Sequence, residues 1–71
     1  MEKFLDIVYK YSGDNVEVTE QYCDCDAARA DFIYMAQDHS EDYEYVILRE
    51  VETDYCDCEE ITVLEEYYKE D

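Results

Sequence analysis

The apolar residues at the start of the chain recur with the period of a β-strand. In residues 4–11 every second side chain falls on one face, and this face holds Leu5, Ile7, Tyr9 and Tyr11. After a turn cluster at residues 12–15, apolar residues alternate again through residues 16–22, where Val16, Val18 and Tyr22 share a side. Two such runs around a short turn predict a β-hairpin.

The pattern then changes to that of a helix. Asp24 or Asp26 is suited to cap the N-terminus of a helix that runs to about Asp38. The helical period places four apolar residues on one face with Ile33 beside them, namely Ala28, Phe32, Met35 and Ala36. An amphipathic helix of this length is enough to cover one face of a small sheet.

Two more strands are predicted at residues 43–53 and 61–68, after a polar connection at residues 39–42. Residues 54–60 turn the chain between them. The element order is ββαββ, which predicts a two-layer α+β domain with one helix on an antiparallel sheet. The 71 residues are expected to form a single domain. The sheet face without the helix is left to solvent or to a partner, which allows it to be polar.

Charge is the main indication of function. The chain has 22 Asp and Glu against five Lys and Arg, a net charge of −17. High charge favours disorder only when apolar content is low, and here 48% of the residues are hydrophobic and 15% aromatic. Like charges repel one another in a compact state, so a folded chain that keeps this charge is expected to use it. The matching targets are basic sites that proteins keep for nucleic acid.

The candidate contact residues are acids near the junction of the last two strands. Glu50, Glu52 and Asp54 alternate, so on a strand they share one face at a spacing of about 6.6–6.8 Å, comparable to that of successive phosphates. The other candidates continue this track or lie on the neighbouring strand, with Tyr55 as a central anchor: Asp57, Glu59, Glu60, Glu65 and Glu66. The alternative is a solvated acidic edge that prevents aggregation between strands.

Four cysteines form two Cys-x-Cys pairs within a repeated Tyr-Cys-Asp-Cys segment, and these are Cys23 with Cys25 and Cys56 with Cys58. Four thiols match the ligand count of a structural zinc site, although such sites usually space their cysteines by two to four residues. The other interpretations are buried or half-buried small apolar side chains at strand ends or disulfides, which reducing compartments disfavour. Zinc binding by these four residues is therefore an alternative hypothesis, and no cofactor is otherwise expected.

Features of an enzyme, a secreted protein or a membrane protein are scarce in the sequence. The only histidine, His39, falls in a polar connection, and a single glycine leaves no glycine-rich phosphate loop. The first residues do not resemble a signal peptide, and the longest apolar run, residues 45–48, is too short to cross a bilayer. We therefore expect a soluble, intracellular protein without catalytic activity.

Small size, extreme acidity, nine tyrosines and the α+β pattern together resemble phage-encoded nucleic-acid mimics, which include anti-CRISPR and anti-restriction proteins. The resemblance is one of profile over the whole chain, without a diagnostic motif. It implies a non-enzymatic inhibitor in the host cytoplasm that occupies the DNA-binding channel of a CRISPR-Cas or restriction complex. Such an inhibitor offers carboxylates to the arginines and lysines that read DNA, here from the acidic track between Glu50 and Glu60.

One further alternative is a generic acidic interaction domain whose charge serves solubility. Such a domain would be a homodimer through an exposed strand edge. No direct contact with nucleic acid or with a membrane is expected, because anionic surfaces repel phosphates and anionic lipids alike.

Overall fold

A four-stranded antiparallel sheet carries one helix on one of its faces. The computed structural model describes residues 2–53 and 59–69. The elements are β1 (Glu2–Tyr11), β2 (Glu17–Tyr22), α1 (Cys25–Ile33), β3 (Tyr43–Thr53) and β4 (Glu59–Tyr68). The strands lie side by side in the order β2-β1-β3-β4, and every neighbouring pair is antiparallel. The predicted α+β class and the order ββαββ are confirmed.

The first hairpin joins β1 and β2. Its turn contains Gly13, whose φ of 84° lies in the left-handed region that glycine adopts without a steric penalty. β2 begins at Glu17, one residue later than predicted, and Val16 is 61% exposed outside the strand. The prediction that the strand includes Val16 is therefore wrong, whereas Val18 and Tyr22 do pack against the core.

The helix begins where Asp24 caps it. An Asp24 side-chain oxygen accepts hydrogen bonds from the backbone N–H groups of Asp26 (2.9 Å) and Ala27 (3.5 Å). α1 ends at Ile33, and a π-helical turn, Tyr34–Asp38, continues the helical backbone to the predicted end. The four predicted inward residues of the helical face are all buried. Ile33 is 46% exposed, because it lies about 100° around the helix from the buried Phe32.

The core lies between α1 and the two central strands. Ile7, Val46 and Leu48 are completely buried, and together with the helix they form one apolar cluster. Further members come from β1 and from the start of β3, namely Leu5, Tyr9 and Tyr43. We call the sheet face on which α1 packs the helix-side face, and the other one the open face. No helix in the described residues is both long enough and apolar enough for a membrane span.

The pairing of β3 with β4 shifts by one residue near the middle of β4. Leu48 lies opposite Glu65 and Arg49 opposite Val63, so Leu64 has no direct partner and forms a bulge. The bulge lets Leu64 and Tyr67 both pack against the core. β4 begins at Glu59, so the predicted turn was too long: Glu59 and Glu60 belong to the strand. The remainder of that turn, residues 54–58, lies outside the described residues.

The open face is more apolar than predicted. Val8 and Val51 point to this face, and only 4% and 1% of their surfaces are exposed. Around them Ile61, Val63 and Tyr68 of β4 are about half exposed. The run of four apolar residues at 45–48 explains the difference, because consecutive apolar residues place apolar side chains on both faces of a strand.

Candidate acidic interface

Four of the predicted contact residues lie together on the helix-side face. They are Glu50 and Glu52 on β3 with Glu60 and Glu65 on β4, and we call them the acidic cluster. Glu52 and Glu60 are direct cross-strand partners, and Thr62 lies opposite Glu50. The helix packs mainly on β1 and β3, so β4 and the end of β3 are left accessible. Glu60 and Glu65 are exposed, and the two glutamates of β3 are half-buried.

Two cations reach the acidic cluster, each at its margin. Lys3 Nζ lies 3.3 Å from Glu50 Oε1, and Arg29 Nη1 of α1 lies 3.8 Å from Glu65 Oε2. Lys3 is also in register with Glu52 across β1 and β3, but its ammonium group is directed to Glu50. Among the described residues, which include every Lys and Arg of the chain, none is in ion-pair distance of Glu52 or Glu60.

The other three cations are engaged elsewhere. Arg49 pairs with Asp6, and Lys10 Nζ lies 3.8 Å from a Glu44 oxygen. Lys69 Nζ donates a hydrogen bond to Ser12 Oγ at 3.1 Å. Since five cations face 22 acids, intramolecular pairing leaves most of the carboxylates without a counter-charge. Such a surface presents a strong negative potential to any approaching protein.

The remaining predicted contact residues do not join the acidic cluster. Glu59 lies opposite Thr53 and Glu66 opposite Ile47, which places both glutamates on the open face. The predicted set is therefore divided between the two faces of the sheet. Asp54, Tyr55 and Asp57 lie outside the described residues.

The first Cys-x-Cys pair lies at the start of α1. Cys23 and Cys25 are both exposed, so the interpretation of these two residues as buried apolar side chains is wrong. Asp24 between them caps the helix. Cys56 and Cys58 lie outside the described residues. Within residues 2–53 and 59–69, no three His, Cys, Asp or Glu side chains are grouped closely enough to hold a metal ion.

A bidentate ion pair, which the sequence analysis missed, lies at the centre of the open face. Arg49 donates from Nε and Nη2 to the two carboxylate oxygens of Asp6, both at 2.8 Å. The side chain of Asp6 is 6% exposed and that of Arg49 is 27% exposed. The hydrogen bond to Asp6 raises the pKa of Arg49, against the lowering effect of burial. In the sequence, the position of Asp6 within the apolar run of β1 indicates that this acid needs a cationic partner.

Tyrosine hydroxyls hold several carboxylates in place. Tyr9 and Tyr22 both donate to Glu20, at 3.1 and 3.0 Å. Burial, with the Glu20 hydrogen bond as the next cause, raises the pKa of Tyr9 to about 12. On the open face, the Tyr45 hydroxyl donates a hydrogen bond to a carboxylate oxygen of Glu17 at 2.6 Å. The Tyr68 hydroxyl donates one to a carboxylate oxygen of Glu66 at 3.3 Å. Carboxylates fixed in this way lose less side-chain entropy when a cationic partner binds.

Comparisons with models of known protein families, with curated proteins and with solved structures give no match for this chain. Fold geometry and charge distribution are therefore the basis on which a function is inferred.

Proposed function

We propose that this protein is a non-enzymatic inhibitor that mimics the charge of nucleic acid. It blocks the DNA-binding groove of a host defence nuclease complex, such as a CRISPR-Cas effector. The observation that carries the proposal is the direct opposition of Glu52 and Glu60, neither of which has an ion-pair partner among the described residues. Like charges in direct opposition destabilise a sheet. An arrangement that weakens the fold is expected where a cationic partner supplies the missing counter-charge.

The spacing of the acidic cluster suits arginine and lysine side chains that otherwise bind phosphates. Carboxylates two residues apart on β3 are separated by about 6.6–6.8 Å along the strand, and those on β4 lie about 4.8 Å away across the ladder. Arginine binds both carboxylate and phosphate through two parallel hydrogen bonds. Because β3 is paired on both sides, it holds its two glutamates on a rigid support, which lowers the entropic cost of binding.

The surroundings of His39 support a role other than catalysis. Its ring packs against that of Tyr34 at an interplanar angle of 48°, with the centroids 4.3 Å apart, and Nδ1 lies 3.8 Å from an Asp42 oxygen. These contacts link the end of the π-helical turn to the short 3-10 turn Ser40–Asp42 that precedes β3. The histidine thus joins two local elements at the surface, and it takes part in no pairing with a serine or cysteine nucleophile among the described residues.

The proposal is tested by displacement of DNA from purified CRISPR-Cas and restriction complexes. Each complex is bound to its target duplex, and the wild-type chain is added in an electrophoretic mobility-shift assay. The test variant is Glu52→Lys/Glu60→Lys. The matched control is Asp38→Lys/Glu41→Lys, which changes the net charge equally at exposed acids outside the sheet.

We expect the wild-type chain and the control to release the duplex from at least one complex, and the test variant to do so at least about tenfold less effectively. Failure to displace DNA from any complex would contradict mimicry. Equal losses in both double variants would also contradict it, because they would show that only the total charge matters.

A further inference from the structure

The open face carries an apolar surface beside β4 that α1 does not cover. One cross-strand row is apolar throughout and consists of Phe4, Val51 and Ile61. The next row places Val63 beside Arg49, and the one after it places Ile47 beside Val8. Of these residues Ile61 and Val63 are about half exposed, and exposed apolar residues that lie side by side are typical of interaction surfaces.

Both signs of charge occur on this face. Two of the five cations, Lys10 and Arg49, point to it, and so do the acids Asp6, Glu17, Glu59 and Glu66. Asp6 is neutralised by Arg49, and Glu17 and Glu66 accept hydrogen bonds from tyrosines. The helix-side face, in contrast, presents the four glutamates of the acidic cluster with cations only at its margin.

We infer that the open face is the surface through which two copies of this chain associate. A surface on which both signs of charge lie beside exposed apolar residues can complement itself about a two-fold axis. Lys10 of one copy then approaches the acids of the other, while Ile61 and Val63 are removed from water. Association through the helix-side face would instead bring two acidic clusters together. The two sheets stack open face to open face, about 10 Å apart, and each acidic cluster remains on the outside.

The dimensions of the molecule fit such an interface. Its principal extents are 41 × 25 × 15 Å, and the shortest corresponds to the thickness of the two layers. The open face thus spans the two longer dimensions, and a stable interface needs about 800 Å² on each partner. Sheet-on-sheet association also leaves the β4 edge free, unlike the strand-edge dimer of the alternative acidic interaction domain.

The salt dependence of this association differs from that of the proposed inhibition. Each copy carries −17, so long-range repulsion opposes the dimer and is screened as salt rises. The dimer therefore becomes tighter with increasing salt, whereas binding to a basic groove becomes weaker. The two processes thus have opposite salt dependences, and the self-association does not rest on the proposed function.

Sedimentation equilibrium of the intact chain at low and high salt tests the inference. The test variant is Ile61→Asp on the open face, and the matched control is Thr62→Asp, the next residue on the same strand but on the helix-side face. Both sites are exposed, and circular dichroism verifies that both variants fold. The Ile61 substitution occurs twice in a symmetric interface, so we expect it to weaken the dimer at least about tenfold. The Thr62 variant should resemble the wild type.

A wild-type chain that stays monomeric at every salt concentration would overturn the inference. A dimer that Ile61→Asp does not weaken, or that weakens as salt rises, would overturn it as well. The same would follow if Ile61→Asp abolished displacement of DNA from a nuclease complex while the wild-type chain sedimented as a monomer. In that case the open face would bind the foreign protein and not a second copy.

Discussion

Glu52 on β3 lies directly opposite Glu60 on β4, and the lysine in register with them, Lys3, turns its ammonium group to Glu50. Opposed like charges cost a sheet roughly 0.2–1 kcal/mol. The fold accepts this cost because the core on the same face is well packed around Leu48 and Val46, both completely buried. The acidic cluster is thus a locally unfavourable arrangement on a stable support.

Neutralising one member of the opposed pair should stabilise the fold and impair the inhibitor. For Glu60→Gln we expect the free energy of unfolding to rise by about 0.5 kcal/mol, while displacement of DNA becomes weaker. Urea denaturation measures the first effect and a mobility-shift assay the second. Glu41→Gln removes the same charge from a site outside the sheet. The explanation is wrong if Glu60→Gln gains no more stability than this control.

Removing one member of the Asp6–Arg49 pair should destabilise the fold more than replacing both members by apolar side chains. Arg49→Met leaves a buried carboxylate without its partner, and we expect it to lower the free energy of unfolding by about 3 kcal/mol. Asp6→Leu/Arg49→Met replaces the pair by apolar side chains and should recover most of the loss, since such replacements are often neutral. Urea denaturation of both variants measures the difference. A double variant as unstable as the single one would count against this explanation.

Stability should decrease in strongly alkaline solution because of the buried tyrosines. Burial raises the pKa of Tyr9 and of Tyr43 to about 12 each, and it also raises the pKa of Tyr22. A tyrosine whose folded-state pKa exceeds its unfolded value of about 10 stabilises the fold fully below pH 10. That contribution is lost as the pH rises from about 10 through 12, because the unfolded chain releases its protons first.

Tyr9→Phe removes one of these titrations. Between pH 10 and 12 the free energy of unfolding of this variant should fall less steeply with pH than that of the wild type. The two slopes should differ by about 1.4 kcal/mol per pH unit. Urea midpoints measured at several pH values give the two slopes. Tyr34→Phe, at a 55% exposed site, is the control. Identical slopes for the wild type and Tyr9→Phe would contradict the assignment.

The stabilisation by the Asp24 cap should depend on its hydrogen-bond acceptor and not on its negative charge. Asp24→Ala removes the acceptor for the N–H groups of Asp26 and Ala27, and we expect a loss of about 1 kcal/mol. Asp24→Asn keeps the acceptor while removing the charge, so its stability should equal or exceed that of the wild type. Thermal unfolding followed by circular dichroism distinguishes the two. A large loss in Asp24→Asn would show that the carboxylate acts through something other than capping.

Most of the fold could be predicted from local patterns. The strand period of β1 and the helical period of residues 28–36 each describe a half-buried element, and the bounds of β3 agree with the prediction. The apolar character of the open face was not predicted. The alternation indicates the apolar residues on one face of each strand, whereas Tyr45 and Ile47 of β3 lie on the other face. The exposure of Ile33 follows from its position about 100° around the helix from Phe32, beside the buried face.

The candidate site could be predicted only in part. Strand alternation correctly placed Glu50 and Glu52 on one face, as the ladder confirms. The bulge at Leu64 then decides that Glu65 joins them while Glu66 does not, and the identities of the neighbouring residues do not reveal a bulge. The Asp6–Arg49 pair joins residues far apart in sequence, so it depends on the β1–β3 register.

The most direct test of the central claim is the salt dependence with which the chain competes against target duplex for a defence nuclease complex. For the wild type, the inhibition constant should rise at least about tenfold between about 50 and 200 mM salt. Glu52→Lys/Glu60→Lys should inhibit weakly and with a shallower dependence, because it makes fewer ionic contacts. Inhibition by the wild type that is independent of salt, or that leaves the duplex bound, would contradict charge mimicry.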